Sequence, residues 1–441
     1  MLHSRRHSSP LFRLLLALSV GSGLVMGAAW APVAPAWAAP SASELAPMGL
    51  AALLERAEAE NPDLQAARLR WEAARSTSGY AGALDAPRLQ GAIMDLGTLG
   101  GPSLMLSQTF PGGSKRALMA ETADREAAVA EAELAQLRLG VARDLQQAYY
   151  EHAYLARARD IYQQTLAQVR NLRKIADSRY AVGAGSQQEP LRAQRELSKL
   201  LDQGLKLDAD MASTRAWINT LANRPANAAI SVPKELPALP RVPAASDLLA
   251  AADAQSPALK IAQARVEAES ARLSLARQDK GVPDFEVGLE AGRSMPGDMA
   301  YIGGMVGINL PWLSQGRYDA KLKEAETSLA AAQAAYRAEQ NRLRGEVHRV
   351  LAELARQERQ IQLYQQGLLP QAKQSLQAAL AAYQVSKVDF DTVLESQTAI
   401  YQVQTDEVRA RADYHQTLAK LEAVIGAPIG ALPAPKERPH G

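Results

Sequence analysis

The sequence repeats itself at a spacing of about 200 residues, so any fold it adopts must accommodate two copies of one unit. Leu53-Leu54 ahead of Asn61-Pro62-Asp63-Leu64 returns as Leu248-Leu249 ahead of Ser256-Pro257-Ala258-Leu259. Phe110-Pro111-Gly112-Gly113-Ser114 returns as Leu310-Pro311-Trp312-Leu313-Ser314, and Tyr162-Gln163-Gln164 as Tyr364-Gln365-Gln366. Tyr180-Ala181-Val182-Gly183 matches Tyr383-Gln384-Val385-Ser386, and Ala222-Asn223-Arg224-Pro225 matches Ile425-Gly426-Ala427-Pro428. Ala-rich helices align easily, so each match alone is weak. Five in one order, with an offset drifting only from 195 to 203, indicate a duplication. The copies occupy residues 39–225 and 248–428, with a tail at 429–441. Between them Pro233, Pro237, Pro240 and Pro243 exclude a regular helix, and 226–247 reads as an extended strap.

Each copy reads as helix, two strands, a very long helix, a tight turn and a returning helix. Ser41 and Glu44 stand in capping-box spacing and predict a first helix from about 41 to 80. A hairpin follows at about 87–110, then helices at 114–180 and 187–222; the second copy places them at about 284–310, 314–383 and 389–425. Ser114 and Ser314 are the expected N-caps of the long helices. Leu134, Leu137, Val141, Leu145, Ala148, His152 and Leu155 recur at alternating steps of three and four, a coiled-coil-like seam. A helix of this length spans roughly 100 Å at 1.5 Å per residue. The helices flanking it are each about half as long, and stacked end to end they would match it. Gly367 and Pro370 interrupt the second long helix, with no proline at the matching place in the first, which predicts a kink in copy two alone.

The amino terminus reads as an export signal. Arg5, Arg6 and Arg13 precede an apolar stretch opening at Leu14, and Ala36-Trp37-Ala38 supplies a small-x-small cleavage site. Cleavage near Ala38 predicts a mature chain that works outside the cytoplasm, its formal charge moving from +2 to −1 as three arginines leave. With no cysteine, neither a lipid anchor at the cleavage point, nor a disulfide, nor a thiolate nucleophile is available. The balance of 49 Lys+Arg against 47 Asp+Glu argues against a nucleic-acid partner. Beyond residue 39 no stretch approaches the ~20 apolar residues of a membrane-spanning helix, so a membrane crossing would have to be a closed β-barrel.

Four segments fit such a wall. Phe285, Val287, Leu289 and Ala291 alternate with Asp284, Glu286, Gly288 and Glu290. Ile302, Gly304, Val306, Ile308 and Leu310 alternate with Tyr301, Gly303, Met305, Gly307 and Asn309. Leu104 and Leu106 alternate with Ser103, Met105 and Ser107, and Arg88 to Leu96 is the weakest of the set. One greasy face and one small or acidic face suit strands between lipid and a wet lumen. The competing expectation is a soluble periplasmic coiled-coil scaffold, with two soluble hairpins packed on its helices. Four strands cannot close alone, and open edges are not tolerated in lipid. Two chains would give eight strands, too narrow for an open pore, whereas three give twelve and a wider lumen. The fold class expected is mainly α with a transmembrane β-barrel: a homotrimeric twelve-stranded barrel, four strands per chain, continued by a long periplasmic α-helical barrel.

The order of elements, the paired hairpins and the turns at Tyr180 to Gly183 and Tyr383 to Ser386, the latter followed by Val393-Leu394, resemble the TolC-like outer-membrane efflux family across about Ser41 to Pro428. The resemblance implies a trimeric outer-membrane duct that docks onto an inner-membrane pump of the resistance-nodulation-division type through a periplasmic adaptor, for export of metal ions or small toxic compounds. The exit duct of a type I protein-secretion system uses the same fold. Gln108 to Arg116 is similar to a stretch of the heavy-metal (cobalt-zinc-cadmium) branch. The resemblance places a periplasmic gate and cation-selecting carboxylates at Tyr383, Asp389, Asp391 and Glu395, with Glu395 where a family gate carboxylate would sit. The alternative for Asp389 is a helix cap, and for Asp391 a stabilising charge at that helix's positive end. The family's latch often carries a basic residue in this turn, where this chain has Val388. The turns at Val182, Gly183 and Ala184 and at Val385, Ser386 and Lys387 are the candidate adaptor contacts, with ordinary solvent-facing turns as the alternative. The segment about 346–412 is the candidate moving coil. His152, His348, His415 and His440 show no zinc spacing, and no phosphate-cradling loop or nucleophile elbow occurs. No enzyme, cofactor or metal site is expected.

Overall fold

The computed structural model describes residues 45–93, 101–294 and 299–431. The expected signal segment, the Ser41–Glu44 box and most of the tail lie outside them. The first helix is two: α1 (Leu50–Glu60) and α2 (Pro62–Ala81). Sequence chemistry explains the break. The Asn61 side chain accepts from the N–H groups of Asp63 and Leu64, and Pro62 fills the first helical position, where no N–H is needed. Copy two breaks at the matching Ser256-Pro257, between α5 (Ala245–Gln255) and α6 (Pro257–Gly281).

The strands are β1 (Arg88–Ile93), β2 (Pro102–Phe110), β3 (Phe285–Ser294) and β4 (Met299–Ile308). They do not form two separate hairpins. They form one antiparallel sheet in the order β1-β2-β3-β4, in which Leu106 faces Leu289 and Phe110 faces Phe285 across the copies. Below it α3 (Lys115–Ala181) runs unbroken for 67 residues and turns into α4 (Gln188–Leu221). In copy two, α7 (Gln315–Leu363) passes through a π-helical turn at Tyr364–Leu368 into α8 (Leu369–Gln384), and α9 (Phe390–Ile425) returns. Ser114 and Ser314 precede α3 and α7, but neither side chain caps; the Ser114 hydroxyl accepts from Gln278 Nε2 at 2.9 Å instead.

The short helices are joined end to end. Asn61 Nδ2 donates to the Leu221 carbonyl at 2.9 Å, so one residue caps the start of α2 and closes the end of α4. The end of α9 at Gly426 lies against Gln255 and Pro257. The core is correspondingly a series of helix-seam clusters. One holds Leu53, Leu145 and Ile218 of copy one. Another holds Val347, Tyr414 and Leu421 of copy two, and a third joins both copies near the turns. The strap is stitched across α3 and α9. Tyr149 donates to the Ser231 carbonyl at 2.9 Å, Arg411 to Leu236 at 2.7 Å and Tyr414 to Pro240 at 3.1 Å. His415 Nε2 lies 3.1 Å from the Pro237 carbonyl and its ring stacks on Tyr150, while His152 Nδ1 meets the Thr214 hydroxyl at 3.1 Å. Both histidines are buried and structural. Burial pushes their pKa values below the ordinary one.

Candidate functional site

The sheet is inverted relative to a soluble one. Leu89, Leu104, Leu106, Val287, Leu289, Val306 and Ile308 fall on a single face through the cross-strand register. That face is the exposed one: Leu289 is 63 % and Val306 77 % accessible, whereas Ser107 on the opposite face is buried. Glu286, Glu290, Gly303 and Gly307 share that opposite face, and Tyr301 Oη donates to Glu290 Oε1 at 3.1 Å. A sheet in water hides its apolar side; this one displays it. The outer edges of β1 and β4 have no strand partner among the described residues.

The sheet is fastened to the helices by one cross-copy cluster. Lys115, 2 % exposed, sits 2.8 Å from Asp284 Oδ1 and 3.5 Å from Asp279. Asp284 also accepts from the Gly112 N–H at 2.9 Å and from Asn309 Nδ2 at 3.1 Å. Burial raises the Asp284 pKa, but Lys115, the Gly112 N–H and Asn309 together outweigh it and hold the carboxyl below its ordinary value. A Cβ on Gly112 would stand 1.9 Å from the Pro283 carbonyl oxygen, so only glycine permits this close approach.

At the other end the two turns share one geometry. Gly183 N–H reaches the Tyr180 carbonyl and Ala184 N–H the Arg179 carbonyl, a Schellman closure with Gly183 at φ +73°. Ser386 N–H to Tyr383 and Lys387 N–H to Ala382 repeat it with Ser386 at φ +56°, a conformation that serine adopts at a cost. Val182, Gly183, Ala184, Val385, Ser386 and Lys387 therefore lie together at one end of the bundle, and Val182 and Val385 are well exposed.

The structure separates the four candidate gate residues. Tyr383 is buried in the cross-copy cluster against Phe390 and donates from its hydroxyl to Glu189 Oε2 at 2.5 Å. Burial and the adjacent Glu189 charge push its pKa well up. Asp391 is paired with Arg192 of copy one. Asp389 occupies the N-cap position of α9, but its side chain makes no capping bond. Glu395 is exposed and has no hydrogen bond or ion pair among the described residues. Val388 is half-buried against the cluster, and the basic residue of this end comes from elsewhere. Arg179 Nη2 donates to Ser386 Oγ at 2.9 Å and to the Ala184 carbonyl at 3.1 Å, and its guanidinium lies 4.5 Å from the Tyr383 ring centre. The sequence reading missed Arg179, Glu189 and Arg192. One signal was present: Ser186 and Glu189 stand in capping-box spacing, and their side chains bond the Gln188 and Ser186 N–H groups. Partners 194 to 207 residues away leave no local trace.

Among the described residues no helix is long and apolar enough to cross a membrane, and no cluster of ligating side chains could hold a metal ion. An outward-greasy sheet grafted onto antiparallel helix pairs defines the class of channels whose lipid-embedded β-wall continues as an α-helical one. The protein belongs to the outer membrane efflux protein family, whose model matches residues 53–224 and 248–427. Its fold is that of solved outer-membrane channels. OprN is 18 % identical over 86 % of this chain and 90 % of that one, with a TM-score of 0.72. VceC from Vibrio cholerae is 20 % identical, covering 86 % and 96 %, at 0.73. CusC, described as undergoing conformational changes with folding and transmembrane channel formation, is 17 % identical, covering 86 % and 92 %, at 0.72. Comparison with curated proteins found no match.

Proposed function

We propose that three copies of this chain pool twelve strands into one outer-membrane barrel. The duct would be a passive exit, joined through a periplasmic adaptor to an inner-membrane resistance-nodulation-division pump, exporting metal ions or small toxic compounds. The observation that carries the reading is the inverted sheet with two open edges. Lipid rewards the displayed leucines and valines and forbids the unpaired edges, and a second and third copy satisfy both demands. The carboxylates of copy two stand near the turns, where a narrow ring of three Glu395 side chains would favour cations. Opening requires α8 and α9 to leave α3 and α4, which breaks Tyr383–Glu189, Arg192–Asp391 and the Arg179 contacts. The π-helical turn beside Gly367 and Pro370 supplies a place for the bend. The exposed turns are the surface for the adaptor.

Fractionation of cells producing the full chain tests the duct. A heat-sensitive trimer sedimenting with outer membranes is expected; a soluble monomer would refute it. Disulfides engineered between neighbouring turns test the gate. Cross-linking at Val385 and Val182 is expected to stop transport, and unaltered transport despite complete cross-linking would remove the moving-coil reading.

A further inference from the structure

The helices form a layer that curves toward one side. A groove of about 840 Å³ has α6 as its floor and α3 and α7 as its walls, including Val129, Ala262 and Ala335. A second groove of about 850 Å³ continues it past Trp217 and Lys420. The proline strap sits on the opposite face. Tyr149, which holds it, is half a helical turn away from Gly140 and Asp144 in the groove, and Arg411 and Tyr414 are turned away from Lys420 in the same way. Helices that do not touch each other can line one groove only on the concave side of a layer. When such a layer closes into a tube, that side becomes the lumen.

The concave side is heavily charged, and its carboxylates are paired one after another. Arg272 grips Glu126 at 2.6 Å and Glu269 at 2.5 Å, and Arg265 holds Glu133 at 2.9 Å. Along α7 the pairing becomes a ladder with a period of seven. Glu339–Arg342, Glu346–Arg349 and Glu353–Arg356 each close at 2.6 Å. A seven-residue period keeps successive rungs on one face of a gently supercoiled helix. On α9, Arg409 reaches Glu151 of α3 at 2.7 Å and Asp413 at 3.0 Å, and Lys420 reaches Glu346 at 3.0 Å. Asp63 and Asp406 are the acids on this face without a basic partner in the chain. Glu395 lies two heptads below Arg409 on the same stripe of α9, exposed and unpaired.

We propose that the helical wall of the duct is charge-compensated by its own arginines, above all Arg265, Arg272 and Arg342, so that discrimination by charge rests on the unpaired Glu395 at the tip. The proposal rests on the duct reading. An uncompensated wall would hold counter-ions along its length and favour one sign of cargo throughout. A wall of closed pairs presents dipoles with little net field, and solutes of either sign pass once the tip admits them.

The test is the K⁺-to-Cl⁻ permeability ratio of the full-length trimer in planar lipid bilayers, read from reversal potentials. Arg265→Gln/Arg272→Gln/Arg342→Gln is expected to raise the ratio several-fold. Glu126→Gln/Glu133→Gln/Glu339→Gln is expected to lower it, and structural damage would not move the two sets in opposite directions. Glu395→Gln alone is expected to lower it toward unity. Ratios unchanged in both wall sets, in trimers that still conduct, would overturn the wall proposal. An unchanged ratio in Glu395→Gln would overturn the assignment of selection to the tip. A chain that forms no trimer and no conductance sinks the duct reading itself, a distinguishable outcome.

Discussion

Single side chains at the turns act as cross-links between the two copies. Tyr383 donates to Glu189 from a buried ring, and Arg179 lies over that ring while bonding Ser386. Hydrogen bonds to charged groups contribute about 1.5–3 kcal/mol each. Tyr383→Phe, which keeps the ring and removes the donor, is expected to raise single-channel conductance, with Arg179→Ala raising it further because it frees two carbonyl and hydroxyl contacts at once. On α7, Glu346 is held at about 2, below its ordinary value, chiefly by its hydrogen bonds to Arg349, which with Lys420 overcome a burial effect of opposite sign. A depressed carboxyl contributes stability above its unfolded pKa and loses it as pH falls toward the folded value. The stability difference between the parent and Glu346→Gln is therefore expected to hold from pH 7 to about 4.5 and to vanish near pH 2. Thermal melts of the trimer across that range check it. The pair is largely solvated, and the difference at neutral pH is about 1 kcal/mol or less.

At the scale of elements, what matters is how ends are joined. Asn61 caps α2 and closes α4 with one side chain, so two short helices stand against the unbroken α3 as one. The sheet is joined to the helices through Lys115, Asp284 and Gly112. Asp284→Asn is expected to leave the buried ammonium with only Asp279 at 3.5 Å, at a cost of about 3 kcal/mol for an undone buried pair. Gly112→Ala forces the Pro283 backbone aside, and both variants are expected to give trimers that dissociate at lower temperature in detergent. The interruption at Gly367 and Pro370 appears as a π-helical turn, with α3 continuous at the matching level. If that turn lets α8 bend, Gly367→Ala/Pro370→Ala is expected to slow transport without altering trimer yield.

For the whole molecule the controlling quantity is the displayed face of the sheet. Val306→Arg places a charge on it, at about 2–4 kcal/mol for a site near the bilayer midplane. Outer-membrane yield is expected to fall sharply, while Met305→Arg on the opposite face inserts normally. Equal loss in both variants would indicate that the two faces do not differ in surroundings.

The duplication, the helix order, the breaks at Asn61-Pro62 and Ser256-Pro257 and the alternation of all four strands are written locally, because turn chemistry and side-chain period act over a few residues. So is the tip pairing of Tyr180 with Tyr383. What the sequence left undecided is which surfaces meet. Two hairpins or one sheet, a gating tyrosine or a buried one, a capping aspartate or an uncapped helix start: each choice depends on residues from the other copy, up to 207 positions distant. Arg179 replaces the missing base at Val388 for that reason. Contacts of that separation are set by the packing of whole helices, and no local pattern encodes which partner will arrive.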